Sequence, residues 1–244
     1  MPLMKTRVAV LGWLIIGPIG ITAVVMAFMC VARGEILSAI VAVGGAAFCF
    51  GILIPTVKAV PGRVAPRVEN DSAGTTFRPD RSMDIPVQAA LAGLVLATAL
   101  ITILLPIGKL TIPVPPNMRV ALPFMAAAIA VTGAPMVWRN LRRGSTSYLR
   151  LTVEGFEIAQ GWRHRSASWS SVKDVASEAP SQTKPTPGAI VFVMSDDAAW
   201  TLTALSFAPD GAALRDLVRF YWQHPESRDE LIDGRAAERI AARL

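Results

Sequence analysis

The sequence predicts an α-helical membrane protein that carries a small α+β soluble domain, and three observations predict it. Hydrophobic residues make up 52% of the 244-residue chain and charged residues only 17%, a balance atypical of a soluble protein of this size. Four long apolar runs fill most of the chain before Arg139. After Thr146 the pattern changes to short alternating stretches of the kind that form half-buried strands.

The first run, from Val8 to Ala32, contains no charged residue. It is long enough to cross a hydrocarbon core of about 30 Å, which takes about 20 helical residues. Lys5 and Arg7 precede it, but the run exceeds the apolar segment of a signal peptide and lacks a small-x-small cleavage pattern, so a membrane span is expected. Gly17-Pro18 with Gly20 predicts a kink that shapes this helix. Arg33-Gly34-Glu35 forms a tight turn into a second run, Ile36 to Ile54, closed by Pro55, so that residues 1–55 make a helical hairpin.

Residues 56–84 are rich in Pro, Gly, Asp and Arg without convincing periodicity and read as a polar cytoplasmic loop. A second hairpin follows over 85–138, with spans from Ile85 to Ile107 and from Val120 to Trp138. Its connection, GKLTIPVPPNM, is held extended by its prolines. Trp138 stands where an interfacial aromatic anchor is expected.

Orientation follows from the basic residues. With a cytoplasmic amino terminus, the inner segments hold Lys5, Arg7, Lys58, Arg63, Arg67, Arg78, Arg81, Arg139, Arg142 and Arg143, and the outer ones hold Arg33, Lys109 and Arg119. That bias predicts a multi-pass protein of the plasma membrane with both termini inside. The excess of Lys and Arg lies in the membrane half, whereas residues 139–244 are nearly neutral, which argues against a nucleic-acid partner.

No span carries Asp, Glu, Lys, Arg or His in its interior, and ion-coupled transport generally needs such groups. Small residues do recur at helical spacing: Ala89, Gly93 and Ala97 in the third span, and Ala126, Ala130 and Ala134 in the fourth. These stripes are candidate helix-packing faces, used within the bundle or against another membrane subunit. Cys30 and Cys49 fall at different depths of antiparallel spans and are expected to be free thiols. Two Cys and two His supply no zinc pattern.

Residues 139–146 form a basic linker, and the soluble domain runs over 147–223. In YLRLTVEGFEIAQ, Leu149, Leu151 and Val153 share one face of a strand and Phe156 and Ile158 one face of the next, with Glu154-Gly155 as the turn. A third strand is expected from Arg165 to Val175, bulged because Trp169, Val172 and Val175 break strict alternation. A loop spans 177–188, and strands from Ala189 to Met194 and from Trp200 to Leu205 follow. Asp210 is placed to cap a helix with Leu214, Leu217, Val218 and Tyr221 on one face. His224-Pro225 ends it, and residues 224–244 read as a last helix with Ser227 and Glu230 at capping-box spacing.

The hairpin YLRLTVEGFEI, the central WSSVKDV and the helix ALRDLVRFYW resemble the pleckstrin-homology-like (PH-like) domains of bacterial membrane proteins. The stretch offers fewer evident strands than the seven of a PH barrel. The tail YWQHPESRDELIDGRAAERI is similar to small multi-pass proteins of actinobacteria, mycobacteria especially. The resemblance implies a binding or scaffolding module without catalysis, and some multi-pass mycobacterial proteins of similar type accompany lipid-import assemblies.

His164 and His224 are the only side chains that titrate near neutrality unperturbed, and no acid adjoins His164 in the sequence. His164 is expected at a solvated turn or sheet edge and His224 as a helix terminator. No GxSxG, GxxxxGKS or HExxH motif is present. The expectation is therefore a non-enzyme with no catalytic residue, cofactor or metal. Candidate contacts to anionic lipid or to an acidic partner are Arg139, Arg142, Arg143, Trp162, Arg163 and Arg165. The leading expectation is a noncatalytic accessory subunit whose partners are membrane lipids and a larger membrane-protein complex, with homo-oligomers compatible. The alternative is a stand-alone sensor of anionic lipid.

Overall fold

A computed structural model describes residues 2–58, 64–111, 114–177, 188–207 and 211–242. The chain divides into two compact units: Met1–Val60 with Ile85–Gly144, and Pro61–Asp84 with Ser145–Leu244. Arg63, Asp210, Arg243 and most of the expected 177–188 loop lie outside the described residues.

The first unit contains four helices long and apolar enough to cross a membrane. They are α1 (Pro2–Ala32), α2 (Ile36–Lys58), α3 (Arg81–Leu104) and α4 (Ala121–Arg143). Helix α1 runs unbroken through Pro18, and the Thr22 hydroxyl donates to the Pro18 carbonyl at 2.8 Å. Gly34, at φ 76°, turns the chain into α2. Pro55 does not close α2, which continues for one further turn to Lys58. Cys30 and Cys49 are free and buried. At the far end of the hairpins, Thr111 donates its hydroxyl proton to Glu35, and its N–H donates to Ser38 Oγ at 3.3 Å.

Each small-residue stripe keeps two of its three expected positions. In α3, Gly93 and Ala97 face Gly44 of α2, but Ala89 is exposed, and Ala90 and Pro86 meet Gly51 instead. In α4, Ala126 is buried and Ala130 half-buried, but Ala134 is exposed, and Gly133 meets Val95. Uniform steps of four rotate around a helix of 3.6 residues per turn. The observed seams, 86-90-93-97 and 126-130-133, mix steps of four and three and so stay on one side.

The second unit contains two antiparallel sheets. The first has the order β1-β2-β3-β4-β5, from β1 (Arg67–Asp71), β2 (Gly74–Arg78), β3 (Ser147–Leu151), β4 (Gly155–Gln160) and β5 (Arg163–Ser168). The second has the order β6-β7-β8, from β6 (Val172–Ala176), β7 (Ala189–Met194) and β8 (Ala199–Thr203). The segment expected to be a loop thus supplies two strands, with Phe77 of β2 opposite Leu149 of β3. Its turn is held by Asp71, whose Oδ1 accepts the N–H groups of Ala73 at 2.8 Å and Gly74 at 3.0 Å. Helix α3 also starts four residues earlier than its apolar run, because Asp80 Oδ1 caps it by accepting the Ser82 N–H at 2.7 Å.

The expected bulged strand is two strands in different sheets, separated by a single helical turn at Trp169–Ser171. Trp169 anchors that crossing: it is buried, and its Nε1–H donates to the Thr152 carbonyl at 2.9 Å. Phe77, Leu149, Phe156, Ile190, Phe192 and Leu202 form the core, and α5 (Ala212–Gln223) presents Leu214, Leu217, Val218 and Tyr221 to it. The terminal helix breaks at Gly234, φ 90°, into α6 (Glu230–Asp233) and α7 (Arg235–Ala241). The capping box does not form, because Glu230 is drawn to Tyr221 at 3.1 Å and to Arg239 at 2.7 Å.

Candidate anion-binding cleft

Gly161 and Trp162 form the tip of the β4–β5 hairpin, whose register pairs Gln160 with Arg163 and Ile158 with Arg165. Alternation then puts Ile158, Gln160, Arg163 and Arg165 on one face of the sheet and Glu157 and His164 on the other. The first face continues the core-facing side, where Phe156 and Ile158 are buried. Strand β5 is the edge of its sheet and β8 the edge of the other, so a cleft of about 260 Å³ opens between them, lined by Ile158, Gln160, Arg163, Arg165, Trp200 and Thr201.

Trp200 is set in place by the edge of Phe156, with ring centroids 6.1 Å apart. The Arg165 guanidinium lies over the Trp200 ring, 5.1 Å from its centroid. Such stacking desolvates the face of the guanidinium but leaves its in-plane N–H donors free to bind. Gln160 Oε1 accepts the Thr203 N–H at 3.5 Å, which tethers the amide from β4 to β8.

Five other arginines of this unit are held in ion pairs. Arg67 pairs with Asp84, Arg78 with Glu69, Arg150 with Asp71, Arg235 with Asp233 and Arg239 with Glu230, all within 3.1 Å. Among the described residues, Arg163 and Arg165 have no carboxylate partner and no acid lines the cleft. Two uncompensated guanidiniums within one cleft generate a local positive potential suited to an anion.

The opposite face of the hairpin carries a polar trio. His164 Nε2 lies 2.5 Å from Glu157 Oε1, and the Tyr148 hydroxyl donates to the same oxygen. Partial burial opposes ionisation of Glu157, but the hydrogen bonds from Tyr148 and His164 outweigh it and hold the carboxyl below its ordinary range. His164 stands on the edge strand, as expected. Its acidic partner sits seven residues away across the hairpin, a relation visible only once the register is known. His224 caps the end of α5, with its backbone N–H bonded to the Phe220 carbonyl at 2.9 Å.

The structure therefore divides the six predicted contact residues. Arg163 and Arg165 line the cleft, and Trp162 stands beside it at the hairpin tip, 53% exposed. Arg139, Arg142 and Arg143 belong to the last turns of α4 in the membrane-type unit, where Arg142 lies over Trp138 at 4.6 Å. Gln160, Trp200 and Thr201 were not expected at the site. Among the described residues no group of three or more His, Cys, Asp or Glu is arranged to hold a metal ion. Comparison with family profiles, with curated proteins and with solved structures finds no match to this chain.

Proposed function

We propose that this chain is a noncatalytic accessory subunit of the plasma membrane, with four spans and a PH-like domain on the cytoplasmic side that together dock a larger membrane assembly. The observation that carries the reading is the pairing of β2 with β3. Strand β2 comes from the connection between the second and third spans and β3 from the chain after the fourth, so both must lie on the same side of the bilayer. The even number of spans and the positive-inside bias then favour the cytoplasm for that side.

The PH-like assignment is supported by two antiparallel sheets around one core with α5 packed against it, the β1–β2 hairpin supplying strands that residues 147–223 lack. A role within an assembly is supported by the uneven covering of the spans. Half of the most apolar window of α2 is buried, against 11% of that of α4, so α4 keeps an apolar face for lipid or a partner helix. The uncharged span interiors fit a protein that holds or senses better than one that moves ions.

The test is purification of the full-length chain from its native membrane in mild detergent, with crosslinking and mass spectrometry. A reproducible stoichiometric complex, crosslinked through α4 or the sheet domain, supports the reading. Recovery of the chain alone or as a homo-oligomer overturns it.

A further inference from the structure

We infer that the cleft between β5 and β8 is a binding site for a phosphoryl group. This goes beyond the accessory role and does not depend on it. Arg163 and Arg165 sit two residues apart on the same face of an edge strand, so their guanidiniums enter the cleft from one side. The tethered Gln160 contributes an amide from β4, and Thr201 lines the cleft from β8. A phosphomonoester carries close to two negative charges and three acceptor oxygens, enough for both guanidinium forks and an amide together. A single carboxylate satisfies only one fork.

Three features separate this cleft from an ordinary basic surface. Strand alternation turns Glu157, the acid of the same hairpin, to the other face of the sheet. Arg165 is preorganised by Trp200, so less conformational freedom is lost on binding. Its volume, about 260 Å³, also exceeds what a bare phosphate needs and leaves room for the group esterified to it. The phosphoryl could be presented by a lipid headgroup or by a soluble metabolite. The exposed Trp162 beside the cleft is the residue whose substitution separates the two, because an indole favours the bilayer interface.

The experiment uses the full-length protein in phosphatidylcholine nanodiscs, titrated calorimetrically with inorganic phosphate and with a water-soluble short-chain phosphatidic acid. Saturable binding of at least one probe is expected. The double variant R163Q/R165Q should weaken it by more than about tenfold, as loss of two charge-assisted contacts requires. R165K, which keeps the charge but loses the planar fork, should fall between the two, and serves as the probe if the double variant does not fold. R219Q, at an exposed arginine of α5 outside the cleft, should bind as the wild type does.

Tighter binding of phosphatidic acid than of phosphate, with the difference removed by Trp162→Ala, assigns the ligand to the membrane. Equal affinities, unaffected by that substitution, assign it to a soluble phosphate ester. Both outcomes uphold the phosphoryl site. Absence of saturable binding to either probe overturns it, as does a loss in R219Q equal to that in the cleft variants, which would reduce the effect to net charge.

Discussion

Arg67 of β1 and Asp84 of α3 form an ion pair, with Arg67 Nη2 donating to Asp84 Oδ2 at 3.0 Å and the carboxylate almost wholly withdrawn from solvent. The second carboxylate oxygen accepts the N–H of Thr146 at 3.0 Å and its hydroxyl at 2.6 Å. One side chain at the start of the third helix thus ties the inserted hairpin to the chain that leaves the fourth.

Removing Asp84 takes the carboxylate from Arg67, which keeps the Pro79 carbonyl at 3.0 Å, and takes the acceptor from both donors of Thr146; breaking a buried pair from one side typically costs about 3 kcal/mol or more. Asp84→Ala should lower the thermal midpoint of the full-length protein in detergent. The double variant Arg67→Met/Asp84→Leu should recover part of the loss, since an apolar pair leaves no charge unmatched at that position. Equal destabilisation of single and double variants would show that Thr146, not Arg67, is the partner that matters.

The closeness of Asp84 to Thr146 also predicts that the second unit can be separated from the four long apolar helices. Replacing residues 85–144 with a short Gly/Ser linker should give a soluble, cooperatively folding protein of residues 61–84 joined to 145–244. Residues 145–244 alone should aggregate or remain molten, because β3 then exposes an unpaired edge and Leu149 loses Phe77. Circular dichroism and amide-exchange measurements on the two chains distinguish these outcomes.

Glu230 predicts a pH dependence. Its carboxyl lies below the ordinary glutamate range, chiefly through the hydrogen bond from Arg239 and further through that from Tyr221, although burial opposes both. A depressed folded-state pKa means that the stabilisation is complete above the unfolded value of about 4.3 and is lost as the pH falls through the folded one. Glu230→Gln should lower the unfolding midpoint at neutral pH, and the gap from wild type should narrow as the solution is acidified below that unfolded value. A gap that stays constant with pH would show that the carboxylate's charge is not what Tyr221 and Arg239 require.

Within the bundle, a β-carbon on Gly51 would stand 2.3 Å from the Pro86 carbonyl oxygen, whereas one on Gly45 meets nothing within 4 Å. Gly51→Ala should therefore part α2 from α3 and lower the midpoint in detergent, and Gly45→Ala should leave it unchanged or raise it slightly. Comparable losses in both variants would mean that helix flexibility, not close approach, is the property of these glycines that counts.

Much of the architecture is legible in the residue pattern. Charge-free runs mark the spans, and the spacing of Leu214, Leu217, Val218 and Tyr221 gives the buried face of α5, because burial imposes its period directly on the sequence. The β1–β2 hairpin is illegible for the converse reason: RVEND and GTTFR hold only Val68 and Phe77 as large apolar residues, and their stability comes from β3 and from the Leu231 carbonyl, 2.6 Å from the Thr75 hydroxyl. The Asp71-to-Gly74 turn, with its side-chain cap, is the local signal that could have revealed it. At the cleft, Arg163 and Arg165 could be nominated from the hairpin, but Trp200 lies on another sheet, and local periodicity carries no information about which two edges will meet.

The threading of one sheet through two stretches of chain bears on how the protein is made. When β1 and β2 leave the ribosome, the partner strand β3 is still about seventy residues from being synthesised. Under the four-span reading, α3 and α4 cross the bilayer and turn back before β3 can reach β2. Under that reading, a nascent chain in which only one of the two helices inserts delivers β3 to the opposite compartment and leaves the sheet open for a protease. Completion of the domain thus requires that the two helices between its strands insert as a pair.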